Sequence, residues 1–92
     1  MEDLQPYEMF FKLKEDHELL GKSGTLFSVR DRLLNIDTGS YYIVLGKVIL
    51  DEEEATIGLG VCSIDKENLE NIFVEDRETF NKYAGNILVT IN

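Results

Sequence analysis

Cys62 and His17 are the only cysteine and the only histidine in the chain, and together they could supply a thiolate activated by an imidazole. Cys62 lies within an apolar stretch, residues 56–64, whose alternation predicts a strand. A cysteine in such a strand usually packs as a small hydrophobic side chain. His17 lies among acidic residues at 15–18, where we expect it to face solvent. We therefore predict no catalytic pair, and a protein that is not an enzyme.

Four consecutive carboxylates at residues 51–54 raise the question of a metal site. Calcium loops place oxygen ligands at alternating positions around a central glycine. This run is contiguous and contains no glycine. We interpret it as the solvated tip of a hairpin and expect neither a metal nor a cofactor there.

The sequence Gly-Lys-Ser-Gly-Thr at residues 21–25 has the composition of a phosphate-binding loop. A P-loop also requires a glycine shortly upstream and a helix immediately downstream. No glycine precedes Gly21, and a strand pattern follows. We interpret this segment as a turn.

Negative charge is concentrated in the second half of the chain. Ten of the eighteen carboxylates lie between residues 51 and 78, with only Lys66 and Arg77 to balance them, and the chain carries a net charge of −9. Such a field repels nucleic acid and attracts basic surfaces. It also keeps a small domain in solution, and the sequence leaves both roles open. The predicted acidic patch for a partner consists of Asp51, Glu52, Glu53, Glu54, Glu67, Glu70, Glu75, Asp76 and Glu78.

Apolar periodicity predicts the elements that must position these groups. Alternation of period two indicates strands, whereas apolar residues three or four apart indicate short helices, with Ser63 or Asp65 as the first cap and Asp76 as the second. The length of 92 residues fits one domain. The predicted fold is mainly β with one or two short helices; its strands cover residues 7–14, 25–34, 41–50, 56–64 and 87–91.

Three aromatic residues are candidates for an apolar contact with a partner. Phe10 alternates with the charged residues of the first strand, which predicts that it points outward. Tyr41 and Tyr42 begin a segment, residues 41–50, that is apolar on both faces. A strand of this kind is either central or covered on its outer side. We therefore expect Phe10, Tyr41 and Tyr42 to anchor a partner.

Three segments of the chain resemble small SH3-like barrel proteins of bacteriophages and prophages. They are Gly-Thr-Leu-Phe-Ser-Val at residues 24–29, Tyr41-Tyr42, and Gly-Leu-Gly-Val at residues 58–61 leading to Leu69. The resemblance implies a small, bent SH3-like barrel with its core at residues 21–74. An N-terminal strand at 7–14 and a helix and strand at 76–91 would complete the single domain, residues 1–92. Some barrels of this kind bind peptides, some bind nucleic acids and some have a purely structural role, so the resemblance does not determine the function.

These observations favour a non-enzymatic acidic module that binds a protein with a basic surface. As a phage or prophage accessory protein, it would inhibit a host nucleic-acid enzyme or defence protein by charge mimicry. A homodimer is a further expectation, since pairing of exposed strands would cover the apolar face. One alternative is a structural or oligomerising phage protein. The other is direct binding of nucleic acid through a small basic face, which the charge disfavours and which would use Lys12, Lys14, Arg30 and Arg32.

The sequence also predicts a location. No apolar run approaches the roughly 18 residues of a membrane span. Residues 1–3 are acidic at 2 and 3 and lack the basic start of a secretory signal. A single cysteine excludes an internal disulfide and suits a reducing compartment. We expect a cytoplasmic protein without membrane contact, in the host cytoplasm if it is phage-encoded.

Overall fold

The computed structural model describes residues 7–90. The prediction that no secretory signal is present concerns residues 1–3, which lie outside the described residues. Ile91, the predicted end of the last strand, also lies outside them. The prediction of a mainly β fold with one or two short helices is confirmed, and there are two such helices within residues 7–90. The elements are β1 (Phe10–Leu13), β2 (Leu26–Leu34), β3 (Tyr41–Leu50), β4 (Ala55–Asp65), α1 (Lys66–Ile72), β5 (Phe73–Glu75), α2 (Arg77–Tyr83) and β6 (Ile87–Val89).

The six strands form one sheet in the order β5-β1-β2-β3-β4-β6. All neighbours are antiparallel except β4 and β6, which run parallel. Among residues 7–90 the edge strands β5 and β6 do not pair with each other, so the barrel is not closed. The last strand, β6, lies at an edge of the sheet beside β4. It does not pair with β1, because β1 lies between β2 and β5.

Two hydrophobic cores lie on opposite faces of the sheet, each closed by one helix. Phe10 and Phe11 are adjacent in β1, so their side chains point to opposite faces. The first core, with α1, contains Phe11, Leu13, Phe27, Val29, Ile43, Leu45, Leu69 and Phe73. The second core, with α2, contains Phe10, Val48, Ala55, Ile57 and Tyr83.

Phe10 is a core residue, and its prediction as an exposed anchor is wrong. Its side chain is 0% exposed. Its ring packs edge-on against Phe80 of α2, with centroids 5.3 Å apart. Alternation along β1 correctly separates Phe10 from Phe11, but it cannot show that a helix about seventy residues later covers the second face.

Both helices begin at an aspartate that caps them. The carboxylate of Asp65 accepts a hydrogen bond from Asn68 N at 2.8 Å, and that of Asp76 accepts one from Thr79 N at 3.0 Å. Each bond satisfies a backbone N–H that has no partner within its helix. The predicted caps are therefore present. Each helix has seven residues, far too few to cross a bilayer, so residues 7–90 contain no helix that could span a membrane.

Two irregularities bend the long central strands. The pairing of β2 with β3 shifts between Val29 and Asp31, at a β-bulge. The pairing of β3 with β4 shifts on either side of Gly46. A Cβ at Gly46 would meet the carbonyl oxygen of Gly58 and, at 2.9 Å, Cδ of Arg30. Glycine at 46 thus lets the two strands and the Arg30 side chain approach each other closely.

Candidate functional site

Beyond the bulge in β2, the β2–β3 ladder extends past both cores and carries four large apolar side chains. Leu33 pairs with Tyr42, and Leu34 pairs with Tyr41. Their exposed fractions are 49% and 54% for the leucines and 46% and 41% for Tyr41 and Tyr42. Directly opposite residues share a face of the sheet, so each face presents one leucine–tyrosine pair. We call these four residues the outer ladder.

The turn that joins β2 to β3 holds the outer ladder in register. Asn35 N donates to Ser40 O at 2.8 Å, and Gly39 N donates to Asn35 O at 2.8 Å. The side chain of Asn35 accepts a further bond from Asp37 N at 3.0 Å. Gly39 has a φ of 73°, a left-handed conformation that glycine adopts without strain. Ile36, at the tip, is 86% exposed and extends the apolar surface.

A cleft of about 520 Å³ lies between this turn and α1. Tyr42 and Asp65 are opposite each other in the β3–β4 ladder, and both line the cleft. Glu67 and Glu70 lie three residues apart on α1, so they share a side of the helix. Lys66 is the one basic residue of the lining. We call this the tyrosine cleft; its lining is Asn35, Thr38, Ser40, Tyr42, Asp65, Lys66, Glu67 and Glu70.

The predicted acidic residues do not form one patch. Residues 51–54 follow β3, whereas Glu67 and Glu70 lie on α1, which follows β4. The β3–β4 ladder runs from the pair Leu50–Ala55 to the pair Tyr42–Asp65. Its ends are therefore roughly 25 Å apart along the strands, at about 3.3 Å per residue. The prediction that α1 stands beside the acidic tip is wrong, because the two lie at opposite ends of the hairpin.

The third acidic group, at β5 and the start of α2, is largely compensated. Glu75 forms an ion pair with Arg77 at 2.9 Å, and Asp76 forms one with Lys12 at 3.8 Å. Partial burial raises the pKa of Asp76, but hydrogen bonds from Thr79 and the charge of Lys12 outweigh it, so the pKa lies below its usual value. This group contributes less to an attractive field than its number of carboxylates suggests.

The acidic tip is a turn closed by its own first residue. The carboxylate of Asp51 accepts hydrogen bonds from Glu53 N at 2.9 Å and Glu54 N at 2.8 Å. The hydrogen bond from Glu54 N has the larger effect and that from Glu53 N the smaller, and together they hold the pKa of the Asp51 carboxylate below its usual value. Tyr83 Oη donates to Asp51 O at 2.9 Å and ties α2 to the tip. Residues 7–90 contain no group of three or more side chains placed to hold a metal ion.

The four basic residues of the nucleic-acid alternative are engaged at separate places. Lys12 pairs with Asp76, as described, and Lys14 Nζ donates to Glu70 O at 2.9 Å. Arg32 lies over the ring of Tyr41, 5.7 Å from its centroid. Arg30 is half-buried and donates to backbone carbonyls of other segments, Gly58 O in β4 at 2.8 Å and Thr90 O, just after β6, at 3.0 Å.

Cys62 and His17 do not meet as a reactive pair. Cys62 lies opposite Leu45 and packs against the first core, and burial raises the pKa of its thiol. His17 Nδ1 accepts hydrogen bonds from Leu19 N at 3.1 Å and Leu20 N at 3.2 Å, which closes its own loop. The imidazole therefore has a local structural role that the acidic sequence around it does not reveal.

Comparison with protein-family models, with curated proteins and with solved structures gives no match to this chain. The resemblance to SH3-like barrels of phages therefore remains a prediction from the residue pattern. The outer ladder and the tyrosine cleft are the features from which function is inferred.

Proposed function

We propose that this protein is a non-enzymatic binding module that holds a partner protein on the outer ladder. One observation carries the proposal: four large apolar side chains, paired across β2 and β3, are each about half exposed. Scattered single exposed residues are ordinary, but contiguous apolar side chains mark an interaction surface. Tyrosines with an apolar body and a polar tip are among the residues that dominate protein interfaces.

The proposed partner carries basic residues close to its apolar contact. Three carboxylates, Asp65, Glu67 and Glu70, line the tyrosine cleft against a single lysine, Lys66. The whole chain, at −9, adds a long-range attraction for positive charge. Complementary charge of this kind raises the association rate and fixes orientation, while the apolar contact supplies most of the affinity.

In this proposal the acidic residues attract a host protein but do not imitate the phosphates of a nucleic acid. Imitation of a phosphate row requires a continuous line of charge, and the carboxylates occupy three separate places. Their role is steering toward a basic partner, which a phage or prophage accessory protein would find in a host nucleic-acid enzyme or defence protein. The single thiol of Cys62 suits a reducing cytoplasm as the place of action.

A comparison of affinity captures tests the proposal. Wild-type protein is immobilised beside a Leu34→Ser/Tyr41→Ser variant and a matched control, Ile49→Ser. Ile49 is 63% exposed and lies in the same strand as Tyr41, but near its other end. We expect proteins that wild type and the control both capture to be lost from the double variant. Their retention should weaken at about 0.5 M salt, where screening shortens to a few ångströms.

Equal capture by all three proteins would contradict the proposal. The same holds for a capture that the Ile49→Ser control loses as completely as the double variant.

A further inference from the structure

The two edges of the sheet differ in how they are protected. One edge is β5, which has three residues and lies between α1 and α2 along the chain. The other side of the sheet ends in β4, which has eleven residues, and β6 pairs only with residues 55–57 of it. Over residues 59–65, β4 has no strand partner other than β3 among the described residues.

The beginning of β4 is already occupied by backbone and side-chain donors. Thr90 N donates to Ile57 O at 2.9 Å, and the guanidinium of Arg30 donates to Gly58 O at 2.8 Å. These contacts end at Gly58. We call residues 59–65 the open edge, because their outward backbone groups face no other strand within residues 7–90.

The open edge lacks the residues that normally prevent strand pairing. Residues 59–64 read Leu-Gly-Val-Cys-Ser-Ile and contain no charge and no proline. Leu59 is 41% exposed and Val61 is 61% exposed. Lysine or proline at an edge usually keeps other chains from adding to a sheet. An edge that is uncharged up to Asp65 and has exposed apolar side chains is therefore suited to accept a further strand.

We infer that the open edge binds an extended, basic segment of the partner by strand addition. This inference rests on the proposed function, since it takes its basic partner from there. Backbone hydrogen bonds would supply the pairing, and alternate side chains would supply specificity. The bound segment would extend the sheet beyond β4 and reach toward the tyrosine cleft.

Charge favours a basic segment over a second copy of this chain. The open edge ends at Asp65, and Glu67 and Glu70 follow on α1. Two copies paired through this edge would bring together two chains of −9 each, whereas a basic segment is attracted.

The spacing along β4 sets the pattern expected of the segment. Val61 and Asp65 are four residues apart, or about 13 Å at 3.3 Å per residue. Residues at even spacing on a strand share a face. A lysine or arginine should therefore lie about four positions from the apolar residue that contacts Val61.

Peptide binding tests the inference on the intact protein. The probe is a short fluorescent peptide in which a lysine lies four positions from a valine, compared with the same peptide N-methylated at all its central residues. N-methylation keeps the positive charge and removes the backbone donors. We expect the methylated peptide to bind at least about tenfold more weakly, a loss of about 1.4 kcal/mol. Amide exchange of Val61 and Ser63 should slow when the unmethylated peptide is bound.

A matched pair of protein variants separates pairing from charge. Val61→Lys and Val74→Lys each add one positive charge at an exposed valine, the first on the open edge and the second on β5, where Val74 is 47% exposed. We expect Val61→Lys to weaken binding at least about tenfold and Val74→Lys to weaken it less than about twofold. Thermal melts monitored by circular dichroism confirm that both variants are folded before they are compared.

Three outcomes would overturn the inference. The first is equal binding of the two peptides or an equal effect of the two variants. The second is no binding at peptide concentrations up to about 1 mM, which corresponds to about −4 kcal/mol. The third is a dimer that Val61→Lys abolishes and Val74→Lys keeps, which would assign the open edge to a second copy. In all three cases the capture experiment with Leu34→Ser/Tyr41→Ser still decides the proposed function separately.

Discussion

The two halves of β2 have similar strand geometry but opposite environments. Phe27, Ser28 and Val29 are all buried, whereas every residue from Asp31 to Leu34 is exposed. The buried half lies between two cores, each closed by a helix, while the exposed half contributes no residue to either core. Leu34 is no less hydrophobic than Val29, so what differs is the element that covers each position. Whether an apolar strand residue is buried in the core or exposed at an interface thus depends on whether another element of the fold packs over it.

Arg30 marks the boundary between the two halves. It lies within the bulge that separates Val29 from Asp31. Its guanidinium donates to carbonyls of β4 and of Thr90, so it joins three segments of chain. Its neighbour Arg32, on the exposed side of the bulge, contacts Tyr41 of the outer ladder. Arg30 therefore has a structural role, whereas Arg32, two residues further along β2, lies on the side proposed for binding.

The largest difference between the buried and exposed regions of the sheet should appear when an aromatic ring is removed from each. Phe10→Ala removes a ring that is 0% exposed and packs on Phe80, and we expect it to lower the free energy of unfolding by about 3–5 kcal/mol. Tyr41→Ala, in the outer ladder, should lower it by about 1 kcal/mol or less, because it removes only the exposed contact with Arg32. Urea unfolding followed by circular dichroism measures both. A loss at Tyr41 as large as that at Phe10 would show that the outer ladder belongs to the core.

A smaller difference is expected at the two arginines beside the bulge. Arg30→Met keeps the aliphatic stem but removes donors to backbone carbonyls, and hydrogen bonds to charged groups contribute about 1.5–3 kcal/mol. Arg32→Met removes an exposed contact with an aromatic ring, which contributes about 0.5–1 kcal/mol. Unfolding curves at one pH compare the pair directly. Equal losses would contradict the assignment of Arg30 to structure and Arg32 to the binding side.

The smallest of the three effects concerns the cap that holds α2 over the second core. Asp76→Ala removes the acceptor for Thr79 N and should cost about 1 kcal/mol at neutral pH. Asp76→Asn keeps an acceptor but loses the charge that interacts with Lys12. Because the folded-state pKa of Asp76 lies below its unfolded value, the ionised carboxylate stabilises the fold above about pH 4.

That stabilisation is lost as the pH falls through the folded-state pKa. The difference in unfolding free energy between wild type and Asp76→Asn should therefore narrow below about pH 4. Glu78→Gln, in the first turn of the same helix, removes the same charge without removing the cap and serves as the control. A difference that stays constant from neutral to acid pH would contradict the role given to the charge of Asp76.

Local pattern was sufficient to predict most of the secondary structure. Apolar patterns predicted five of the six strands of residues 7–90 to within a few residues, and the caps, Asp65 (one of two candidates) and Asp76, marked where the helices begin. The three residues of β5 were missed, because so short a strand has no detectable period. Its pairing with β1 depends on a contact between distant parts of the chain, which no local pattern contains.

The candidate site was predictable only in part. Tyr41 and Tyr42 were identified from a strand that is apolar on both faces, and the same reasoning applied to the end of β2 would have added Leu33 and Leu34. The acidic residues were identified by type but placed together wrongly. Closeness along the chain does not imply closeness in space when a hairpin with a ten-residue first strand separates the two groups. The open edge depends on strand order, which emerges only when the whole sheet is assembled.

Because of the close contact at Gly46, the residue at this position can be used to recognise distant relatives of this chain. Core positions accept several apolar residues of similar volume, so they diverge over evolutionary time. At Gly46 the carbonyl oxygen of Gly58 and the stem of Arg30 occupy the space of any side chain. A distant homologue that keeps this arrangement of β3 and β4 would have to keep glycine there. A homologue with any other residue at that position must pair the two strands differently.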